Sequence, residues 1–185
     1  MKKHFENQLI QIIENDAWMM HILKIIRELD LNDSWIGAGF IRNKVWDKLH
    51  NKNRTVLNDI DVIYFDSSET NKAAELAIEY QLKKTTSNLN WSVKNQARMH
   101  LKNGHSPYTN TNEAISFWPE TATAIAIRLT VNNVIEYIAP YGLEDLFNLR
   151  LVPTPNVDIR TFQHRIQEKQ WIKIWPKLIL HTSSL

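Results

Sequence analysis

The sequence predicts an α+β (mixed α/β) fold, a mixed and mostly antiparallel sheet of about five strands with helices packed mainly on one face. Three features predict it. Apolar residues recur at helical spacing at both chain ends. The middle carries short apolar runs with a period of two, separated by turn residues. Between Trp35 and Asp66, an apolar run, a glycine-containing turn, an amphipathic segment and a second apolar run follow one another.

Taken in order, Phe5 to Leu29 read as helix. Asn15-Asp16 breaks the run, and Asp16 suits the N-cap of a second helix. Trp35 to Gly37 is a short strand. Gly39 to His50 is a helix with Phe40, Ile41, Val45, Trp46 and Leu49 inward. A polar, basic loop runs from Asn51 to Asn58, and the strand opening with Asp59 follows. The next helix spans about Glu69 to Lys84, with Ala73, Leu76, Ala77, Tyr80 and Leu82 at partial helical spacing. Asn88 to Val93 reads as a further strand, and Lys94 to His100 as a helix or loop lining a cleft. Asn110-x-x-Glu113 has the form of a capping box. Thr121 to Leu129 and Val134 to Ala139 form a hairpin about Asn132-Asn133, since asparagine tolerates positive φ. Leu143 to Leu149 is a short helix, Val152 to Pro155 a linker, and Asp158 to Ile174 the last helix. Trp171, Trp175 and Leu178 anchor that tail. The whole is expected to be one domain, 1–185, with the N-terminal helices (1–30) and C-terminal helix (156–178) packed on the core.

Composition narrows the class. The 185 residues are 43% hydrophobic and 23% charged, ordinary for a soluble globular protein. A formal charge of +2 does not argue for nucleic acid. There is no cysteine, which excludes disulfides and thiolate zinc sites and suits a reducing compartment. No apolar run is long enough to span a bilayer, and the N-terminus lacks the apolar core of a signal peptide. The expected location is cytoplasmic, with no membrane partner.

The chemistry concentrates at Asp59-Ile60-Asp61. In a strand, residues i and i+2 face the same way, so both carboxylates stand side by side. Adjacent carboxylates repel and resist desolvation, and a divalent cation compensates them. Mg²⁺, or Mn²⁺, suits one or two carboxylates plus phosphate oxygens. Gly37 and Gly39 let backbone N–H groups approach an anion. Arg42 falls in the first helical turn, where the dipole favours an anion, and is either a phosphate contact or a surface arginine paired with an acid.

Several phrases carry a resemblance: GAGFIRNKVWD, DIDVIYFD, WSVKNQARMH, WPETATAIAIRL and APYGLEDLF. Together they resemble the nucleotidyltransferase superfamily typified by DNA polymerase β, and within it a family of small, stand-alone bacterial nucleotidyltransferase-like proteins. The resemblance implies a nucleotidyltransferase-like core, with Asp59 and Asp61 as the first two metal-holding acids. It also implies a third acid on a later strand. Ser92 occupies the place where that acid is expected. Glu120 is the candidate substitute, or else a loop acid capping a neighbouring element. Lys94, Asn95 and Gln96 are candidate nucleotide contacts, or else a hydrogen-bonded loop; Trp118 and Trp91 are the candidates for base stacking. The expected activity is transfer of NMP from an NTP to an unknown acceptor. The alternative is a catalytically weak or inactive nucleotide-binding module lacking the third carboxylate. Nucleic-acid binding through Lys52, Arg54 and the Lys94–Arg98 cluster is a less favoured third.

Overall fold

The computed structural model describes residues 2–181. Met1 and residues 182–185 of the expected 1–185 domain lie outside the described residues. Five strands form the main sheet: β1 (Trp35–Gly37), β2 (Ile60–Tyr64), β3 (Trp91–Asn95), β4 (Ala126–Leu129) and β5 (Ile135–Ile138), in the order β3-β2-β1-β4-β5. β1 pairs antiparallel with β2 and β4, β4 antiparallel with β5, and β2 parallel with β3. The sheet is therefore mixed and mostly antiparallel, as the sequence predicts. No helix among the described residues is long and apolar enough to cross a membrane.

The sheet's two faces differ. Ile36, Val62, Val93 and Ile127 point into the main core, where the N-terminal helices α1 (Lys2–Glu14) and α2 (Ala17–Arg27) bury Leu9, Ile13, Met19 and Ile22. α3 (Gly39–Leu49) adds Phe40, Ile41, Val45 and Trp46 to that core. Trp35, Ile63 and Ala126 point the other way, into a small cluster with Ile115 and Trp118. That thinly covered face leaves room for a cleft.

α4 (Lys72–Thr85) begins later than Glu69, because Asn71 caps it by accepting from Ala73 N–H. Its expected apolar stripe is also corrected. Leu76 and Tyr80 are exposed, while Glu75 and Leu82 are buried. The reason lies at the edge of β3. Glu79 accepts the Val93 N–H at 2.8 Å and Glu75 accepts the Asn95 N–H at 2.8 Å. These carboxylates saturate an edge that would otherwise template pairing with another chain. β3 itself runs Trp91–Asn95 rather than Asn88–Val93, in register with all five residues of β2. α5 (Gln96–Asn103) follows directly.

α6 (Thr111–Ser116) is capped by Asn110, which accepts from Glu113 N–H. Glu113 reaches back to Thr109 rather than to the cap residue, so the box is shifted by one. The expected strand Thr121–Leu129 is extended only from Ala126. Its first part is a turn, in which the Glu120 carbonyl accepts from both Thr123 and Ala124 N–H. After α7 (Glu144–Phe147), β6 (Arg150–Leu151) and β7 (Ile179–Leu180) form a small parallel pair that the sequence did not signal. The last helix is two: α8 (Ile159–Lys169) and α9 (Trp171–Ile174), broken at Gln170, whose φ of 53° is left-handed. Trp171, Trp175 and Leu178 are buried as expected.

Candidate active site

Asp61 lies within β2 on the thinly covered face, and Asp59 immediately precedes that strand, exposed to solvent. The Asp61 carboxyl is pushed up to about 6, mainly by burial and then by the charge of Asp59. Ser92, Arg42 and Lys94 pull it down, but not enough. A pair of carboxylates in this condition is short of positive charge. Hard oxygen donors at a partly open position fit a divalent cation that completes its shell with water and phosphate oxygens. Among the described residues, no three His, Asp or Glu side chains gather into a full metal cage.

The strand-to-helix turn is built differently from the simple glycine turn. Ala38, not a glycine, takes φ 52° and ψ −121°. Gly37 remains in β1, where a Cβ would stand 2.6 Å from Cη2 of Trp118. Its role is to let that indole close over the strand. Gly39 opens α3, and its missing Cβ would meet Arg42, Leu57 and Asn43 only at ordinary distances of 3.6, 3.7 and 3.8 Å. Ala38 offers no side-chain cap, so the N-terminus of α3 presents uncapped N–H groups to the cleft.

Arg42 is no surface arginine. It is buried, donates to Thr123 Oγ1 at 2.8 Å and Asn43 Oδ1 at 2.9 Å, and leaves its Nε without a partner. Burial lowers its pKa to about 10. Its guanidinium packs on the rings of Trp171 (4.3 Å) and Trp46 (5.2 Å). It lines a cleft of about 320 Å³ together with Gly39, Asp59, Asp61, Thr123 and Arg165. Helix α8 also brings Lys169 to this cleft, and α9 brings Trp171.

A second cleft of about 240 Å³ shares Asp61 and Arg165 with the first and is also lined by Lys94, Gln96, Met99 and Trp118. Lys94 from β3 and Gln96 from α5 therefore reach the carboxylate region. Lys94 also donates to Glu79 at 3.2 Å.

Four of the candidates, Gly37, Asn95, Glu120 and Trp91, line neither cleft. Asn95 is fully committed elsewhere: its amide donates to the Asp66 and Glu69 carbonyls, both at 2.7 Å, and its oxygen accepts from Asp66 and Ala97 N–H. It ties a loop and caps α5. Glu120 is wholly buried and paired with Arg165, Nε to Oε1 at 2.7 Å. Trp91 is buried, its indole N–H donated to Thr86. Asp66 accepts from Ser68 in its own loop.

Sequence reasoning missed Arg165, Lys169, Thr123 and Trp171 as cleft residues. α8 and α9 reach the cleft from the far end of the chain. Only the Arg165-x-x-x-Lys169 spacing, one helical face, hinted at it.

A family model described as nucleotidyltransferase matches residues 24–180. No curated protein matches the chain. A protein whose NMR structure is described as revealing a CCA-adding enzyme head domain is similar at 35% identity and a TM-score of 0.85, covering 96% of each chain. A CCA-adding enzyme in complex with CTP shares the fold at 13% identity and a TM-score of 0.61, over 96% of this chain and 43% of that one. The Thermotoga maritima CCA-adding enzyme complexed with tRNA shares it at 13% identity and a TM-score of 0.57, over 91% and 40%. The present chain thus spans less than half the length of these two enzymes.

Proposed function

The chain belongs to the nucleotidyltransferase family, and from this we propose that it binds an NTP in the Asp59–Asp61 cleft and transfers its NMP to an acceptor. One observation carries the placement: two carboxylates, an uncapped helix N-terminus and a buried arginine converge on a single cleft. Asp59 and Asp61 would hold Mg²⁺ or Mn²⁺, which neutralises phosphate charge and makes pyrophosphate a better leaving group. Gly39, the N-terminus of α3 and Arg42 favour the nucleotide's anionic phosphates. Arg42 is the stronger binder for being desolvated and stacked between indoles, since its charge is little screened there. Lys94 and Gln96 border the acceptor side. The similarity to CCA-adding enzymes makes a nucleic-acid acceptor the first to try.

One observation favours a second reading. Ser92 stands beside Asp61 where a third acid is expected, and a hydroxyl cannot act as a metal-bridging base. With Glu120 locked to Arg165, two carboxylates remain, which suits a slow enzyme or a module that binds nucleotide without turnover.

The test is pyrophosphate release from each NTP in the presence of divalent metal and short RNA acceptors, with wild type and Asp59→Asn. Metal-dependent release that disappears in the variant supports transfer. Metal-dependent binding without release supports the second reading.

A further inference from the structure

Beyond its two carboxylates the cleft also gathers cationic groups from two separate helices. Arg42 comes from α3, and Arg165 and Lys169 from α8. Four residues apart, Arg165 and Lys169 share one helix face. Arg165 is held in place by the wholly buried Glu120, bonded through Nε at 2.7 Å and Nη2 at 3.4 Å. Among the described residues, Lys169 pairs only with its exposed neighbour Glu168, at 3.8 Å. Arg42 has no acid within ion-pairing distance among the described residues, and its Nε is buried without a partner. The left-handed Gln170 turns the chain so that Trp171 packs beside both guanidinium groups, 4.3 Å from Arg42 and 6.0 Å from Arg165. Glu120 already offsets Arg165, so the charge left without a bonded acid is that of Arg42, and an anion lying between the two guanidinium groups and extended as a chain of phosphates would meet Arg42, the free edge of Arg165 and Lys169.

We propose that α8 is a polyphosphate clamp: Arg165 and Lys169 join Arg42 in holding the phosphoryl groups beyond the first, so that the cleft selects a nucleoside triphosphate over a monophosphate. This deepens the nucleotide reading of the same cleft and rests on it. α8 is the part of the site that neither the carboxylates nor the strand-to-helix turn supplies. Glu120 acts as a positioning residue, turning the Arg165 guanidinium toward the cleft.

The test is titration of the full-length chain, with and without Mg²⁺, with ATP, AMP and inorganic tripolyphosphate, for wild type, Lys169→Met, the double variant Glu120→Gln with Arg165→Met, and the double variant Asp59→Asn with Asp61→Asn. The first double variant avoids stranding a buried charge, and Lys169→Met, at the exposed end of α8, leaves the fold intact if that double variant does not. Lys169→Met and the first double variant are each expected to weaken ATP and tripolyphosphate about tenfold, as for loss of one charged hydrogen bond, while AMP affinity stays unchanged. Unchanged ATP and tripolyphosphate affinity in Lys169→Met overturns the clamp, as does an equal loss for AMP. Metal-dependent ATP binding that ignores α8 keeps the nucleotide reading while overturning the clamp. Tripolyphosphate binding that depends on Lys169, with ATP binding indifferent to Asp59 and Asp61, keeps the clamp and removes the nucleotide reading.

Discussion

Asp61 and Ser92 are register partners across the parallel pair β2–β3, and the serine hydroxyl is close enough to draw down the pKa of the carboxyl beside it. The family resemblance expects a third acid at this place.

Replacing Ser92 by Asp should therefore set a third carboxylate next to Asp61. Its expected effect is about tenfold tighter Mn²⁺ binding, and faster turnover if activity is limited by the number of acids. Stability of the metal-free protein should fall, because a further like charge joins the pair. Metal titration followed by thermal melts with and without Mn²⁺ reads both effects.

The raised pKa of Asp61 has a signed consequence for pH. Folded, the carboxyl titrates at about 6, above its ordinary value, so between the two the native state holds more protons than the unfolded chain. Its contribution to metal-free stability is thus present at low pH and is lost as pH rises through about 6. Asp61→Asn should remove that slope and raise the metal-free Tm at pH 8 by roughly 2–5 °C, while abolishing metal-dependent nucleotide binding. Melts across pH 4.5–8, about one pH unit apart, would show the slope in wild type only.

Ala38 holds φ 52° and ψ −121°, a conformation that glycine adopts freely and alanine does not. Strain of this kind costs about 1–3 kcal/mol. Ala38→Gly should raise the denaturation midpoint, while any loss of nucleotide affinity would mark the methyl group as part of the site. Urea unfolding paired with nucleotide titration separates the two.

Gly37→Ala acts in the opposite direction. The new methyl group would press on Cη2 of Trp118 at 2.6 Å, and a rigid indole must move. The expected cost is about 1–3 kcal/mol, with a red-shifted tryptophan emission as the ring leaves its seat. Urea unfolding monitored by fluorescence checks both.

Much of the fold was legible because it is written in local periodicity and in caps. Asp16, Asn110 and the Asn132-Asn133 turn each behave as their chemistry predicts, with Asn133 at φ 59°. The carboxylates were legible because two acids opening an apolar strand have little structural reason to be there. α4 misled because its inward face is acidic: Glu75 and Glu79 serve the β3 edge, leaving Leu76 and Tyr80 outside. Asn95 looked like a ligand-reading amide and is a structural tie, a distinction set by partners distant in sequence. Arg165, 45 residues from the Glu120 that holds it, was illegible for the same reason.

The most direct test of the central claim is calorimetric titration of ATP, GTP, CTP and UTP with Mg²⁺, on wild type and on the double variant Asp59→Asn with Asp61→Asn. Metal-dependent binding of at least one nucleotide, abolished in the double variant, is the predicted result. Absence of binding tighter than about 1 mM for every nucleotide, or binding indifferent to both substitutions, would contradict it.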